Sequence, residues 1–138
     1  MNKTISIILC TYNEVNYIEE AINLITKTLK NTEIIIVDDN STDGTLNKLD
    51  KLRTNFHFKL FVRKKERGFA SAVCKGLNEA TGDYVGFIDV NSFDQILHFK
   101  DMISKLDNRY DISVLSRYIP GGGDERVFLR SFSSKAIN

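Results

Sequence analysis

The apolar positions of this chain change period several times, and each change marks an element. "SIILC" (residues 6–10) is short, apolar and β-branched, as a buried strand is. "TYNEVNY" breaks it, and Val15, Ile18, Ile22 and Ile25 then recur at helical spacing, so a helix is expected from a cap at Asn13 or Asn16 to about Leu29. "EIIIV" (33–37) is a second buried strand. Thr42 or Asp43 is expected to cap a helix that ends near Arg53. "FHFKLFV" (56–62) alternates apolar and polar residues, as a half-buried or edge strand does. The charged run "RKKERG" reads as a solvated loop. Residues 69–80 read as a helix closed by Thr81-Gly82, "YVGFIDV" (84–90) as another buried strand, 94–106 as a helix and "DISVLS" (111–116) as a fifth strand.

The order is βαβαβαβαβ, which implies a mostly parallel sheet covered by helices on both faces. Such sheets bind ligands beyond the carboxyl ends of their strands. Those ends carry Thr11, Tyr12, Asn13 and Glu14, then Asp38 and Asp39, then Asp89, Asn91 and Asp94, then Arg117 and Tyr118 with Pro120 and three glycines. Polar groups from four strands therefore converge on one edge.

Composition narrows the chemistry. With 138 residues, 42% hydrophobic and 27% charged, the chain suits one soluble domain and not a disordered segment. A net charge of +1 gives no argument for nucleic acid. Cys10 and Cys74 form no framework, fit a reducing cytoplasm and are expected as packing residues. The apolar stretch at residues 5–10 is too short for a signal peptide, and no run reaches a membrane span. No G-x-G-x-x-G follows the first strand and no G-x-x-x-x-G-K-[ST] is present. His57 and His98 form no zinc cluster and are expected at or near the surface. Carboxylates among oxygen donors suit Mg2+ or Mn2+, and arginines on the same rim suit phosphate. Together they describe a site for a nucleotide diphosphate.

"SIILCTYNE", "IIIVDDNSTDGT", "RGFASAVCKGLNEATGDYVGFIDVN" and "SRYIPGGG" together resemble the family 2 glycosyltransferases of GT-A fold, and within them the polyprenyl (dolichol) phosphate mannose synthases. The resemblance implies an α/β, Rossmann-like three-layer sandwich with a mostly parallel central sheet. It implies a nucleotide site made by Thr11, Tyr12, Glu14, Val37, Asp39, Gly68 and Asp89, with Tyr12 and Glu14 on base and ribose and Asp39 on the base. Asp38 would brace the loop, and Gly68 would let backbone approach the nucleotide. Asp89 and Asn91 would hold Mg2+ or Mn2+, while Asp89, Arg117 and Arg130 would form the catalytic set, the arginines holding phosphates. The implied reaction moves a sugar with inversion from GDP-mannose, or next UDP-glucose, to a polyprenyl phosphate. An anionic acceptor of that kind needs no protein base.

Three features depart from the family pattern. The metal motif reads Asp89-Val90-Asn91 in place of Asp-x-Asp, so one donor carries no charge, and Asp94 is a candidate for the missing carboxylate. "SFDQ" follows where the family has Gln and prolines. The chain stops at Asn138, short of the acceptor part of the family, as a fragment, a chain that works with a partner or homodimer, or one without transfer activity. The stretch 124–137, with Val127, Phe128, Leu129 and Phe132, is expected to pack on the core, with peripheral contact to the inner face of a membrane as the alternative. Two other classes compete with the enzyme: a non-catalytic nucleotide-sugar binding or scaffold domain, and a response-regulator receiver. The receiver places its acids after the first strand, whereas here they follow the second.

Overall fold

The computed structural model describes residues 3–116. Four parallel strands, β1 (Ile5–Thr11), β2 (Thr32–Asp38), β3 (Lys59–Val62) and β4 (Tyr84–Asp89), lie in the order β3-β2-β1-β4. Helices α1 (Ile18–Thr28), α2 (Thr45–Leu52), α3 (Phe69–Glu79) and α4 (Phe99–Asp107) connect or follow them, and a 3-10 helix (Val90–His98) leads into α4. The α/β layering read from the sequence is present.

Strand alternation divides the core. Ile7 and Leu9 of β1, Ile34 and Ile36 of β2 and Ile88 of β4 pack with Ile18, Ile22 and Ile25 of α1, Leu49 of α2, and Ile96 and Phe99. Ile8, Cys10, Ile35 and Val37 face the other way, onto Ala72 and Val73 of α3. Both faces of β1 and β2 are therefore dry, which explains their near-continuous runs of Ile, Leu and Val. In register, Cys10 stands between Val37 and Asp89, and Thr11 beside Asp38. The C-terminal ends of β1, β2 and β4 thus finish level with one another.

Several expectations are corrected. α1 starts at Ile18 because the carbonyl of Glu14 accepts from the N–H groups of Tyr17 and Ile18, while the Asn13 side chain accepts from Thr42 N instead of capping. β3 is confined to four residues at an edge, with Phe56 and Phe58 packed against the core outside the ladder. β4 is an edge strand of the described sheet, with Val85 and Phe87 40% and 51% exposed, because only β1 pairs with it. Residues 94–106 divide between 3-10 and α-helix, with non-helical Ser92 in the first part. Residues 111–116 form no strand. Ile112 and Val114 are exposed, and β-branched residues make a strand only when a ladder partner is present. Cys10 is buried as expected, whereas Cys74 is exposed on α3. Among the described residues no helix is long and apolar enough to cross a membrane.

Two contacts fix how the layers meet. Gly76 of α3 lies so close to β1 that an added Cβ would sit nearer than 3.0 Å to three carbons of the fully buried Ile8. At the opposite end of the sheet from Asp38, Glu33 accepts from Ser6 Oγ (2.5 Å), Thr81 N (2.9 Å) and Thr81 Oγ1 (3.0 Å) and pairs with Lys59 Nζ (2.6 Å). It joins β1, β2, β3 and the turn before β4. Burial raises its pKa, but the bonds from Lys59, Ser6 and Thr81 outweigh burial and hold it at about 2.

Gly76→Ala gains up to about 1 kcal/mol of helix propensity, yet overpacking against Ile8 costs about 1–3 kcal/mol. Urea denaturation is expected to show a net loss of stability, and a gain would contradict the close packing. Glu33 has a folded pKa below its ordinary 4.5, so its contribution is present above pH 4.5 and is lost as the pH falls toward 2. Glu33→Gln should lower stability at pH 7 and flatten the loss of stability across that window, read from urea midpoints against pH.

Candidate functional site

A buried parallel strand that ends in two carboxylates must satisfy both. Successive side chains leave a strand on opposite sides, so Asp38 and Asp39 meet different partners. Asp38, fully buried, accepts from Ser41 N (2.7 Å) through Oδ1 and from Ser41 Oγ (2.6 Å) and Thr11 Oγ1 (2.7 Å) through Oδ2. Ser41 Oγ in turn accepts from Asn13 N (2.9 Å). The loop after β2 and the loop after β1 are thereby tied together. Asn13 and Asn40 take left-handed φ values of 58° and 62°, which asparagine tolerates better than most residues.

A second set of bonds extends the tie. Asp43 accepts from Val15 N (3.0 Å), Thr45 N (3.0 Å) and Thr45 Oγ1 (2.6 Å), and Thr45 Oγ1 accepts from Glu14 N (2.9 Å). Asp43 thus serves the start of α2, although Gly44 with φ 102° is the residue before the helix. These bonds place Tyr12 and Glu14 at the rim.

Asp39 turns the other way. It accepts from Arg63 Nε (2.7 Å), from Arg63 Nη2 and from Gly68 N (2.8 Å). Arg63 is 8% exposed and also donates to Ser71 Oγ (2.8 Å) and Gly68 O (3.0 Å). In the sequence Arg63 belongs to the charged run expected to be a solvated loop. The structure corrects this: Lys64, Lys65, Glu66 and Arg67 are exposed, but Arg63 is the first residue beyond β3 and joins the same carboxyl edge as the acids. That position is the signal that would have found it.

These elements enclose an open cavity of about 180 Å3, lined by Cys10, Thr11, Tyr12, Glu14, Asp39 and Asp89, with Phe69 and Ala72 of α3. Five expected site residues therefore meet in one place: Thr11, Tyr12, Glu14, Asp39 and Asp89. Gly68 adjoins them through Asp39. Val37 does not line the cavity; its side chain is buried against α3. Phe69 and Ala72 are apolar positions of an ordinary helical pattern, and nothing in the sequence alone marks them as site residues. Asn91 and Asp94 lie exposed in the 3-10 helix after Asp89. Arg117 and Arg130 lie outside the described residues, as do the glycine run and residues 124–137. A wider groove of about 490 Å3 between α1 and α2 is bordered by Val15, Glu19, Lys48, Lys51 and Asn55, and lacks converging strand ends.

Electrostatics at the cavity are acidic. Burial raises the pKa of Glu14, repulsion from Asp89 and Asp43 raises it further, and a hydrogen bond from Asn91 opposes them. Burial, then Asp89, pushes the Cys10 thiol up to about 12, so it is no nucleophile. The exposed Tyr12 ring carries the Arg67 guanidinium 5.1 Å from its centroid. Excess carboxylate charge with a carboxamide beside it fits a hard divalent cation. Among the described residues no three His, Cys, Asp or Glu side chains cluster as a complete cage. The donor set fits a cation completed by ligand oxygens and water, as Mg2+ and Mn2+ sites are.

Comparison with known proteins bears on the family and the fold. The profile of the family described as Glycosyl transferase family 2 matches residues 6–137. A dolichol-phosphate mannosyltransferase from Pyrococcus furiosus is 38% identical over 138 residues, covering 95% of this chain. The chain spans 38% of that relative's length. A mannosyltransferase from Pyrobaculum calidifontis, solved in complex with GDP-Man and Mn2+, superposes with a TM-score of 0.57 at 29% identity, over 65% of this chain and 28% of that one. TarS from S. aureus in complex with UDP superposes with a TM-score of 0.64 at 26% identity, over 83% of this chain and 38% of that one.

Asp38→Ala should strand three buried or half-buried donors and cost on the order of 3 kcal/mol. Asp43→Ala, at an exposed position, should cost less. Equal losses in urea denaturation would contradict the bracing role of Asp38.

Proposed function

This chain belongs to glycosyl transferase family 2, and on that premise we propose that it binds a nucleotide diphosphate sugar and transfers the sugar to a polyprenyl phosphate with inversion. The observation that carries the reading is the convergence of Tyr12, Glu14, Asp39 and Asp89 on one cavity at the carboxyl edge. GDP-mannose is the first donor, supported by similarity to a dolichol-phosphate mannosyltransferase and to a protein solved with GDP-Man. UDP-glucose is the next, supported by similarity to a protein solved with UDP.

In this reading the Tyr12 ring offers a stacking face to the base, and Asp39 accepts a hydrogen bond from a base N–H. Glu14 accepts from the ribose hydroxyls. Asp89 and Asn91 hold Mg2+ or Mn2+, which when bound neutralises charge on the leaving diphosphate. Arg117 and Arg130 serve the phosphates. The acceptor phosphate is anionic at neutral pH, so no residue of the cavity has to remove a proton from it. A polyprenyl phosphate resides in a membrane, so transfer takes place at a membrane surface. Asn91, in place of a second carboxylate, favours a second reading in which the chain binds the nucleotide sugar without transferring it.

Calorimetric titration with GDP, UDP, GDP-mannose and UDP-glucose, each with Mn2+ and with EDTA, tests this. Tight binding of one base class only when Mn2+ is present is expected, and Asp89→Ala should abolish the gain in affinity that Mn2+ gives. No binding under any condition would overturn the proposal. Binding without turnover of a polyprenyl phosphate would select the second reading.

A further inference from the structure

We infer that Arg63 is the positioning residue of this cavity: it sets the orientation of Asp39 and of the turn ending at Gly68, and so sets which base the site accepts. The inference rests on the reading of the cavity as a nucleotide site.

A guanidinium has five N–H donors in a rigid fork. Arg63 uses that fork inside the protein. Nε and Nη2 meet one oxygen of Asp39, Nη2 also meets Gly68 O, and Nη1 meets Ser71 Oγ. The side chains of Arg63 and Asp39 are 7% and 10% exposed, and Arg63 does not line the cavity whereas Asp39 does. Arg63 therefore acts on a ligand through Asp39.

Asp39 has roughly four acceptor positions on its two oxygens. Three are occupied, two by Arg63 and one by Gly68 N. About one remains for a ligand. Its direction is set by the fork, because rotation of the carboxylate would break all three bonds. The same fork fixes the start of α3. Gly68 has φ 120°, a conformation most side chains avoid, and Arg63 and Asp39 hold its carbonyl and its N–H respectively. Phe69, the next residue, lines the cavity. Three strand and helix ends therefore meet at one side chain: β2 at Asp39, β3 at Arg63 and α3 at Gly68 and Ser71.

Lysine keeps the charge and loses the fork. Arg63→Lys is thus expected to lower affinity for the preferred base by roughly tenfold or more, the scale on which residues that orient a ligating carboxylate act. Affinity for the other base should change by less than about twofold, since contacts to ribose, diphosphate and Mn2+ are untouched. The measured quantity is the ratio of GDP to UDP affinity with Mn2+, in the wild-type chain and the variant, with far-UV circular dichroism of each. Glu66→Gln, which removes only an exposed ion pair with Arg63 at 3.7 Å, should leave the ratio unchanged. If Arg63→Lys fails to fold, Ser71→Ala removes one anchor of the fork from an exposed position and should lower the ratio in the same direction. An unchanged ratio in the folded variant overturns the inference, as does an equal loss for both bases or a wild-type chain that does not distinguish them. If the wild-type chain binds neither nucleotide, the reading of the cavity falls, and the assignment of Arg63 falls with it.

Discussion

Two carboxylates delivered out of water by a buried strand are the constraint around which this sheet edge is built. An isolated charge in a dry interior is costly unless paired or hydrogen-bonded. The two-residue period of the strand makes one solution for both impossible, because Asp38 and Asp39 leave the chain in opposite directions. Asp38 draws in Thr11 and Ser41, and through Ser41 the loop after β1. Asp39 draws in Arg63 and the N-terminal end of α3. Satisfying the pair therefore assembles the loops that border the cavity. Among the described residues no buried side-chain polar atom is left without a partner.

The edge and the opposite end of the sheet do different work. Glu33 ties the strand starts together by an acid whose partners are all within the protein. At the carboxyl edge the acids are only partly used. Glu14 and Asp89 repel one another across the cavity, and Glu14 titrates above its usual range. Charge that the fold leaves uncompensated is charge available to a cation and to a hydroxyl-bearing ligand. This contrast between the two ends of the sheet supports the proposal that the carboxyl edge is the functional one, without reference to any relative.

Much of this was legible in the sequence, for physical reasons. β1 and β2 are buried on both faces, and burial writes itself as unbroken apolar runs. Asp38, Asp39 and Asp89 stand at the ends of such runs, so their convergence follows from the parallel topology alone. Interactions between distant segments were not legible. Arg63 sits in a run of charged residues, and nothing local separates it from Lys64 or Arg67; its burial is decided by Asp39, twenty-four positions earlier in the chain. The side chain of Asn13 accepts from Thr42 N, which no helix-capping rule anticipates. Residues 111–116 carry strand-forming side chains, but they pair with no strand of the described sheet, and propensity without a ladder partner makes no strand.

In the proposed function the cavity at the ends of β1, β2 and β4, and not the larger groove between α1 and α2, receives the nucleotide and its metal. Paramagnetic broadening of backbone amide signals by Mn2+ in the presence of a nucleoside diphosphate locates the cation directly. Signals at Tyr12 to Glu14 and at Asp89 to Asn91 are expected to be lost, with those of Asn47, Lys48 and Asn55 retained. Broadening centred on the α1–α2 groove, or spread evenly over the chain, would contradict it.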